Sequence, residues 1–287
     1  MLLAKDIAQL MATYPYSTGP QLSQTEFRMR LVEDWQIPEG ARVLEIGCGQ
    51  GDTTAALANA VGASGHVTAV DIAAPEYGAP VNLGDSAAHL KAGPLGGRID
   101  FRFEFDAFDG SNAFPKDSFD YVVLAHCTWY FESLSQLRQT LRTVRAWAPK
   151  ICLSEWDLEP RSPDQMAHLL AVLIQGQVES FKVASSANIR TPFSRRTLKE
   201  ILSGTGWQIN SEHLMDATNL DDARWEVTAC LNDSLREASD LRISDKFESF
   251  LESQVEILRS TAENAGMRPL SAYSIVATRI AVPEAGS

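Results

Sequence analysis

The hydrophobic period changes repeatedly along the chain. Residues 1–12 mix apolar and polar positions at a spacing that predicts a short helix, and Pro15, Gly19 and Pro20 then break the chain. Phe27, Leu31 and Trp35 recur at i, i+4 and i+8, which predicts a helix over 23–35 with one buried face. Pro38 and Gly40 end it, and the period shortens. Residues 41–46 read as a short apolar strand, followed by a glycine-rich turn and an alanine-rich helix over 53–61. Further strands are predicted over 67–72, 99–105, 119–125 and 151–156, with a helix around 84–91 and an amphipathic one over 134–148 closed by Pro149. Strand and helix thus alternate to about residue 157, an order that predicts a parallel, doubly wound α/β sheet covered on both faces.

The second half loses this alternation. A helix is predicted over 163–184, with Met166, Leu169, Leu170, Leu173 and Ile174 on one face, and a shorter one over 194–202 before Gly204 and Gly206. A strand over 207–214, helices over 221–239 and 244–265, and a strand over 272–280 complete the pattern, with the last six or so residues expected to lack order.

Composition narrows the function. The chain has 287 residues, 45% of them apolar and 22% charged, enough for the core of one large α/β domain. Its formal charge is −12, from 25 basic and 37 acidic residues, and such a surface repels phosphate backbones. The densest basic clusters, Arg190, Arg195, Arg196 and Lys199, and Arg138, Arg142 and Arg145, are short and read as solvated faces. A nucleic-acid partner is therefore not expected. Cys48, Cys127, Cys152 and Cys230 form no CxxC, which points to reduced, buried thiols and to no metal site. Lys5 and Asp6 interrupt the apolar start at Met1–Ala4, and no run approaches the ~20 apolar residues of a membrane span. A soluble cytoplasmic protein, without a membrane partner, is expected.

The run Glu45-Ile46-Gly47-Cys48-Gly49-Gln50-Gly51 lies between a strand and a helix. Glycines there turn the chain tightly and let a ligand press against bare backbone at a helix N-terminus. Position 52 is Asp52, where the dinucleotide fingerprint has its third glycine, and an acid at that helix end disfavours a pyrophosphate. Glu45 reads as a second acid beside the loop, so a zwitterionic or cationic ligand suits it better.

Val43 through Gly51 resembles the first motif of the class I S-adenosylmethionine-dependent methyltransferases, of the type acting on small molecules. The resemblance continues in Val67-Thr68-Ala69-Val70-Asp71, in Phe105-Asp106-Ala107, in Phe119-Asp120-Tyr121-Val122-Val123 and in the segment from Pro192 to Trp207. It implies a seven-stranded, mostly parallel, Rossmann-like sheet and S-adenosyl-L-methionine as cofactor. It also implies cofactor contacts from Glu45, Gly47, Cys48, Gly49, Gly51, Asp71, Ile72, Asp106, Ala107 and Ala125. A carboxylate at the tip of the second strand can accept two hydrogen bonds from a ribose diol, the role expected of Asp71. Asp106 is expected at the adenine amino group, or else as a turn acid beside Asp109-Gly110. The expected organisation is one domain, 1–287. It comprises an N-terminal helical lid at 1–38, a cofactor-binding core at 39–157, an inserted helical cap at 158–190 and 218–267, and the remaining core at 191–217 and 268–282.

Acceptor chemistry in this fold lies beyond the carboxyl ends of the strands. The fourth strand ends in Ala125-His126-Cys127-Thr128-Trp129-Tyr130-Phe131 and lacks the Asn-Pro-Pro-Tyr type of run, which disfavours nucleobase and protein-amide acceptors. His126 is the candidate catalytic residue, as a base or as a positioning group, with a structural histidine as the alternative. Trp129, Tyr130 and Phe131 either face a hydrophobic acceptor or pack the following helix, Trp156 is expected to face the acceptor from the end of the fifth strand, and Tyr14 and Tyr16 are lid aromatics or a surface-packed turn. Glu155 either binds an amine or caps the next segment. The expected activity is methyl transfer to a small, partly hydrophobic molecule of specialised metabolism, by a monomer or homodimer. A non-methylating cyclisation or rearrangement on the same fold, and an NAD-linked oxidoreductase, are the competing readings.

Overall fold

A computed structural model describes residues 1–108, 113–185 and 187–281. Asp109-Gly110 and the chain end from residue 282 lie outside the described residues. The strands β1 (Arg42–Ile46), β2 (His66–Val70), β3 (Ile99–Arg102), β4 (Tyr121–Ala125), β5 (Lys150–Trp156), β6 (Trp207–Met215) and β7 (Ala272–Arg279) form one seven-stranded sheet. Its order is β3-β2-β1-β4-β5-β7-β6. β3, β2, β1, β4 and β5 pair in parallel, whereas β7 runs antiparallel to both β5 and β6. β4 is buried along its whole length and β1 at all but its first residue, as expected of strands covered on both faces. From β1 the chain winds outward to β2 and β3, then returns to lay β4 on the other side of β1. Strand order reverses there, so a crevice opens outside the carboxyl ends of β1 and β4.

The helices are α1 (Ala4–Ala8), α2 (Thr18–Asp34), α3 (Asp52–Ala60), α4 (Leu83–Ala92), α5 (Leu134–Thr143), α6 (Met166–Glu179), α7 (Arg195–Gly204), α8 (Asp222–Ser239) and α9 (Asp245–Ala265). Side chains of Asn82, Ser133, Ser194 and Ser244 accept backbone N–H groups at the starts of α4, α5, α7 and α9. α2 starts before residue 23, because Gly19 and Pro20 lie in its first turn rather than breaking the chain. The N–H that proline lacks has no intrahelical partner at that position. β3 stops at Arg102, short of residue 105, and Glu104 beyond it takes φ 54°.

The main core packs α2 and the crossover helices against the sheet through Phe27, Leu31, Leu44, Val122 and Leu153. A second apolar cluster joins α6, α8 and α9 through Ile174, Val227, Cys230, Leu251 and Leu258. These helices form a separate layer, and Gln24 of α2 reaches it by donating to Asp222 at 2.8 Å. Among the described residues no helix is long and apolar enough to cross a membrane.

Candidate active site

The crevice at the switch point is built on left-handed backbone. Gly47, Gly49 and Gly51 take φ values of 75°, 52° and 95°. A Cβ on Gly47 would come within 2.7 Å of the Cys127 Cβ, so β4 requires a glycine there. A Cβ on Gly49 would meet nothing within 4 Å, because that residue opens onto the cleft. Asp71 follows β2 at the lip. Its Oδ2 accepts the Gly49 N–H at 2.8 Å and its Oδ1 the Ala73 N–H at 3.0 Å. Each oxygen keeps a second lone pair for a ligand hydroxyl. Asp106 Oδ1 accepts the Phe108 N–H at 2.8 Å. Asp52 opens α3 and accepts from Gln21 Nε2 at 2.6 Å, so a carboxylate occupies that helix end.

Gly47, Gly49, Asp71 and Asp106 line one cleft of about 430 Å³, a size suited to a small molecule. Ile72, Ala107 and Tyr130 contribute to it, as do Cys127 and Tyr77. A larger hollow of about 870 Å³ lies between α2 and α3, away from the loop and the strand ends.

Four predicted cofactor contacts are not among the cleft-lining residues. Cys48, Gly51 and Ala125 shape the loop and strand end around it. Glu45 lies beneath the loop, 1% exposed, and Thr54 Oγ1 donates to its Oε2 at 2.6 Å. Burial pushes its pKa up to about 8, against the opposing effects of Thr54 and Arg28. The side chain is therefore largely neutral near pH 7 and does not supply the negative charge expected beside the loop. Of the predicted acceptor contacts only Tyr130 lines the cleft; Trp129 and Trp156 are buried in the core, Tyr14 and Tyr16 lie away from it, and the candidate catalytic His126 is buried behind the strand end and is not among its lining residues.

His126 follows β4 in the left-handed region, φ 52°, an uncommon conformation for a residue with a Cβ. Its ring lies edge-on to Trp156 at 4.8 Å and to Phe27 at 5.4 Å between centroids. Nε2 is 3.1 Å from Ser154 Oγ, and Nδ1 faces Glu155 Oε1 at 3.6 Å. Glu155 is itself fixed: its Oε2 accepts the Thr128 N–H at 3.1 Å and the Thr128 hydroxyl at 2.8 Å. Burial pushes the Glu155 carboxyl up to about 7. Burial also pulls the His126 pKa well below its ordinary value, aided by the charge of Arg28, so the imidazole is neutral at physiological pH.

Two arginines carry more than their sequence positions suggested. Arg190 lines the cleft, with Nε donating to the Ala187 carbonyl at 2.9 Å, and its backbone N–H binds the Trp129 carbonyl. Arg195 meets Glu159 and Glu212 at 3.3 and 3.1 Å. Neither is part of a free basic face. Arg28 escaped the sequence reading altogether. Its guanidinium sits over the Phe27 ring at 5.5 Å, and its Nε and Nη1 are buried without a hydrogen-bond partner. The signal was faint: one charge next to the apolar stripe of α2.

The profile of a methyltransferase-domain family matches residues 22–212. The chain belongs to the class I S-adenosylmethionine-dependent methyltransferases. With the family comes its cofactor, S-adenosylmethionine. The chain is 35% identical to a cyclopropane-fatty-acyl-phospholipid synthase-like protein from Lactobacillus casei. The match covers 96% of this chain and 98% of that one, with a TM-score of 0.86. It is 29% identical over 241 residues to the methyltransferase phomM' of Diaporthe leptostromiformis, covering 70% of this chain and 62% of the relative. The chain thus spans less than two thirds of the length of that curated relative. The [4+2]-cyclase SpnF shares 16% identity at a TM-score of 0.51, over 90% of this chain and 82% of that one, a likeness of fold alone.

Proposed function

We propose that the protein transfers the methyl group of S-adenosylmethionine to a small, partly hydrophobic molecule of specialised metabolism. One observation carries this reading: the open backbone at Gly49 and the anchored carboxylate of Asp71 face the same cleft as Asp106. They fit a nucleoside that carries an amino-acid tail. Asp71 would hold the ribose diol, Asp106 and Ala107 the adenine, and Ile72 one face of its ring, while Gly47 and Gly49 let the tail approach the backbone. When bound, the cofactor supplies an electrophilic methyl group on a sulfonium centre.

The remaining tasks belong to the chain. His126, held between Ser154 and Glu155, is placed to accept a proton or to orient the acceptor. Glu155 can share that proton, because its pKa lies near neutrality. Tyr130 offers apolar surface to the acceptor, and Trp156, buried against His126, keeps water from the histidine. Residues 158–190 with 218–267 act as the cap, whereas within 1–38 the helix α2 belongs to the main core and Tyr14 and Tyr16 stand away from the cleft. The net charge of −12 favours a small acceptor over a nucleic acid.

A melting assay tests the cofactor, with S-adenosylhomocysteine expected to raise the midpoint and NAD to leave it unchanged. The opposite pattern moves the protein to the oxidoreductases. A metabolite screen with isotopically labelled cofactor then tests the reaction. The product should gain one labelled methyl group, and a product equal in mass to its substrate would assign a rearrangement instead.

A further inference from the structure

The cleft is lined by two sets of elements. The ends of β1 and β2 and the turn after β3 bring Gly47, Gly49, Asp71 and Asp106, the set that fits a nucleoside. The other wall comes from the turn at Thr128–Tyr130, from α5 and from the loop between α6 and α7. It holds Tyr130, Glu132, Gln136, Thr140 and Arg190, whose polar groups the nucleoside contacts do not use.

That wall presents donors without acceptors. Gln136 and Thr140 stand at i and i+4 on α5, so their side chains share one face of the helix. Gln136 accepts the Glu132 N–H through Oε1 at 2.9 Å, and its Nε2 has no partner among the described residues. Thr140 is only 1% exposed, yet its hydroxyl makes no hydrogen bond. Buried hydroxyls are rarely left unmatched, and in the wall of a cleft the missing partner points to a ligand atom.

Arg190 supplies the charge. Its loop is fastened to the strand end, because the N–H groups of Arg190 and Thr191 both reach the Trp129 carbonyl at 3.0 Å. The Thr191 hydroxyl adds a bond to the Phe131 carbonyl at 2.9 Å. Arg190 Nε donates to the Ala187 carbonyl at 2.9 Å, which holds one edge of the guanidinium and leaves the two terminal nitrogens over. Arg195, five residues on, is matched by Glu159 and Glu212, whereas Arg190 makes no ion pair among the described residues. Glu132, the acid of the same wall, is exposed and makes none either.

We propose that this wall is an anion subsite, and that the methyl acceptor carries a carboxylate which pairs with the free edge of Arg190. The Thr140 hydroxyl and the Gln136 amide are the neutral donors beside it, and the Tyr130 ring meets the apolar part of the same molecule. A guanidinium edge matches the planar carboxylate in shape. One guanidinium balances one negative charge, so a carboxylate suits it better than a phosphate, whose second charge would go unmatched in a chain of net charge −12. The carboxylate is an anchor and is unchanged by the reaction. The inference rests on the methyl-transfer reading and deepens it by naming a chemical class of acceptor.

Calorimetry on the full chain tests this, beginning with S-adenosylhomocysteine alone. The complex is then titrated with phenylacetate, 3-phenylpropionate and octanoate, each against its primary amide, and with phenyl phosphate. At least one acid should bind about tenfold or more tightly than its amide and than phenyl phosphate. Arg190→Gln should erase that preference, and Arg190→Lys, which keeps the charge, should retain most of it. Thr140→Val should weaken the acid about threefold, the loss of one neutral hydrogen bond. S-adenosylhomocysteine binding should be unchanged in all three, and Arg138→Gln on the exposed side of α5 should leave both ligands unmoved. Amides that bind as well as the acids, tighter binding of phenyl phosphate, no acid binding, or an acid affinity that survives Arg190→Gln overturns the proposal. An equal loss in Arg138→Gln does so too, because it traces the preference to the overall field. If Arg190→Gln or Thr140→Val weakens S-adenosylhomocysteine at an unchanged melting midpoint, the wall serves the cofactor and the proposal again falls. Failure of S-adenosylhomocysteine to bind the unaltered protein is visible in the first titration and refutes the underlying cofactor reading as well.

Discussion

Glu45→Gln tests the claim that this side chain is carried neutral beneath the glycine loop. The native carboxyl has its pKa pushed from an ordinary 4.5 to about 8, with burial as the largest cause. At ~1.36 kcal/mol per pKa unit, a shift of this size sets a ceiling of about 5 kcal/mol on the linkage. Relaxation and the effective dielectric around buried groups reduce it, and about 2–4 kcal/mol is expected. The sign follows from proton counting. Between pH 4.5 and 8 the folded protein keeps a proton that the unfolded chain has lost, so the native contribution is fully present below pH 4.5 and declines as pH rises, levelling off above 8. Glutamine has no proton to lose and can still accept from Thr54. Urea unfolding of both proteins from pH 5 to 9 should therefore show the variant gaining on the wild type by about 2–4 kcal/mol across that range. A constant difference would show that the carboxyl does not titrate with folding. A gain by the wild type at high pH would mean that Glu45 is ionised and paired with Arg28, contrary to the reasoning.

Three further substitutions separate the roles at the cleft. Asp71→Ala should weaken S-adenosylhomocysteine by about 10- to 100-fold in calorimetry, the loss expected when hydrogen bonds to a charged group disappear; an unchanged Kd would remove the ribose role. Gly49→Ala should cost about 1 kcal/mol in stability from its left-handed φ. It should also put a methyl group into the cleft and lower cofactor affinity more than tenfold, whereas intact binding would show that the tail does not pass over Gly49. His126→Ala should lower turnover about 100-fold, the low end of what a positioned base contributes, with cofactor affinity kept. Loss of cofactor affinity in parallel with turnover would assign His126 to ligand binding.

How far the sequence disclosed the molecule depended on how local each signal was. β1 and β4 could be read because strands buried on both faces are continuous runs such as Val43-Leu44 and Val122-Val123-Leu124. The glycine loop could be read because its spacing and its place after a strand are both local. The reversal of β7 could not, since a buried strand carries the same apolar residues in either direction. Its direction is set by pairing with β5 and β6. Glu45 was misjudged for a related reason. An acid beside the loop looks charged on paper, and only its burial under Thr54 reveals a neutral group. Arg28 and Asp222 border the apolar stripes of their helices, where a charge normally faces water. Packing between α2 and α8 turns them inward, and that packing is not written at any one position.

The excursion that carries α8 and α9 leaves the sheet at Met215 and returns at Ala272, and these residues are partners in the β6–β7 ladder. An excursion whose ends are already neighbours asks little of the framework that supports it. On the proposed reading of these helices as a cap, substrate choice and cofactor capture are separable along the chain. Residues 216–271 could be exchanged by recombination for a stretch of different length while the crevice at β1 and β4 kept its shape. Divergence of acceptors in such an architecture would run through this detour, leaving the nucleoside end untouched.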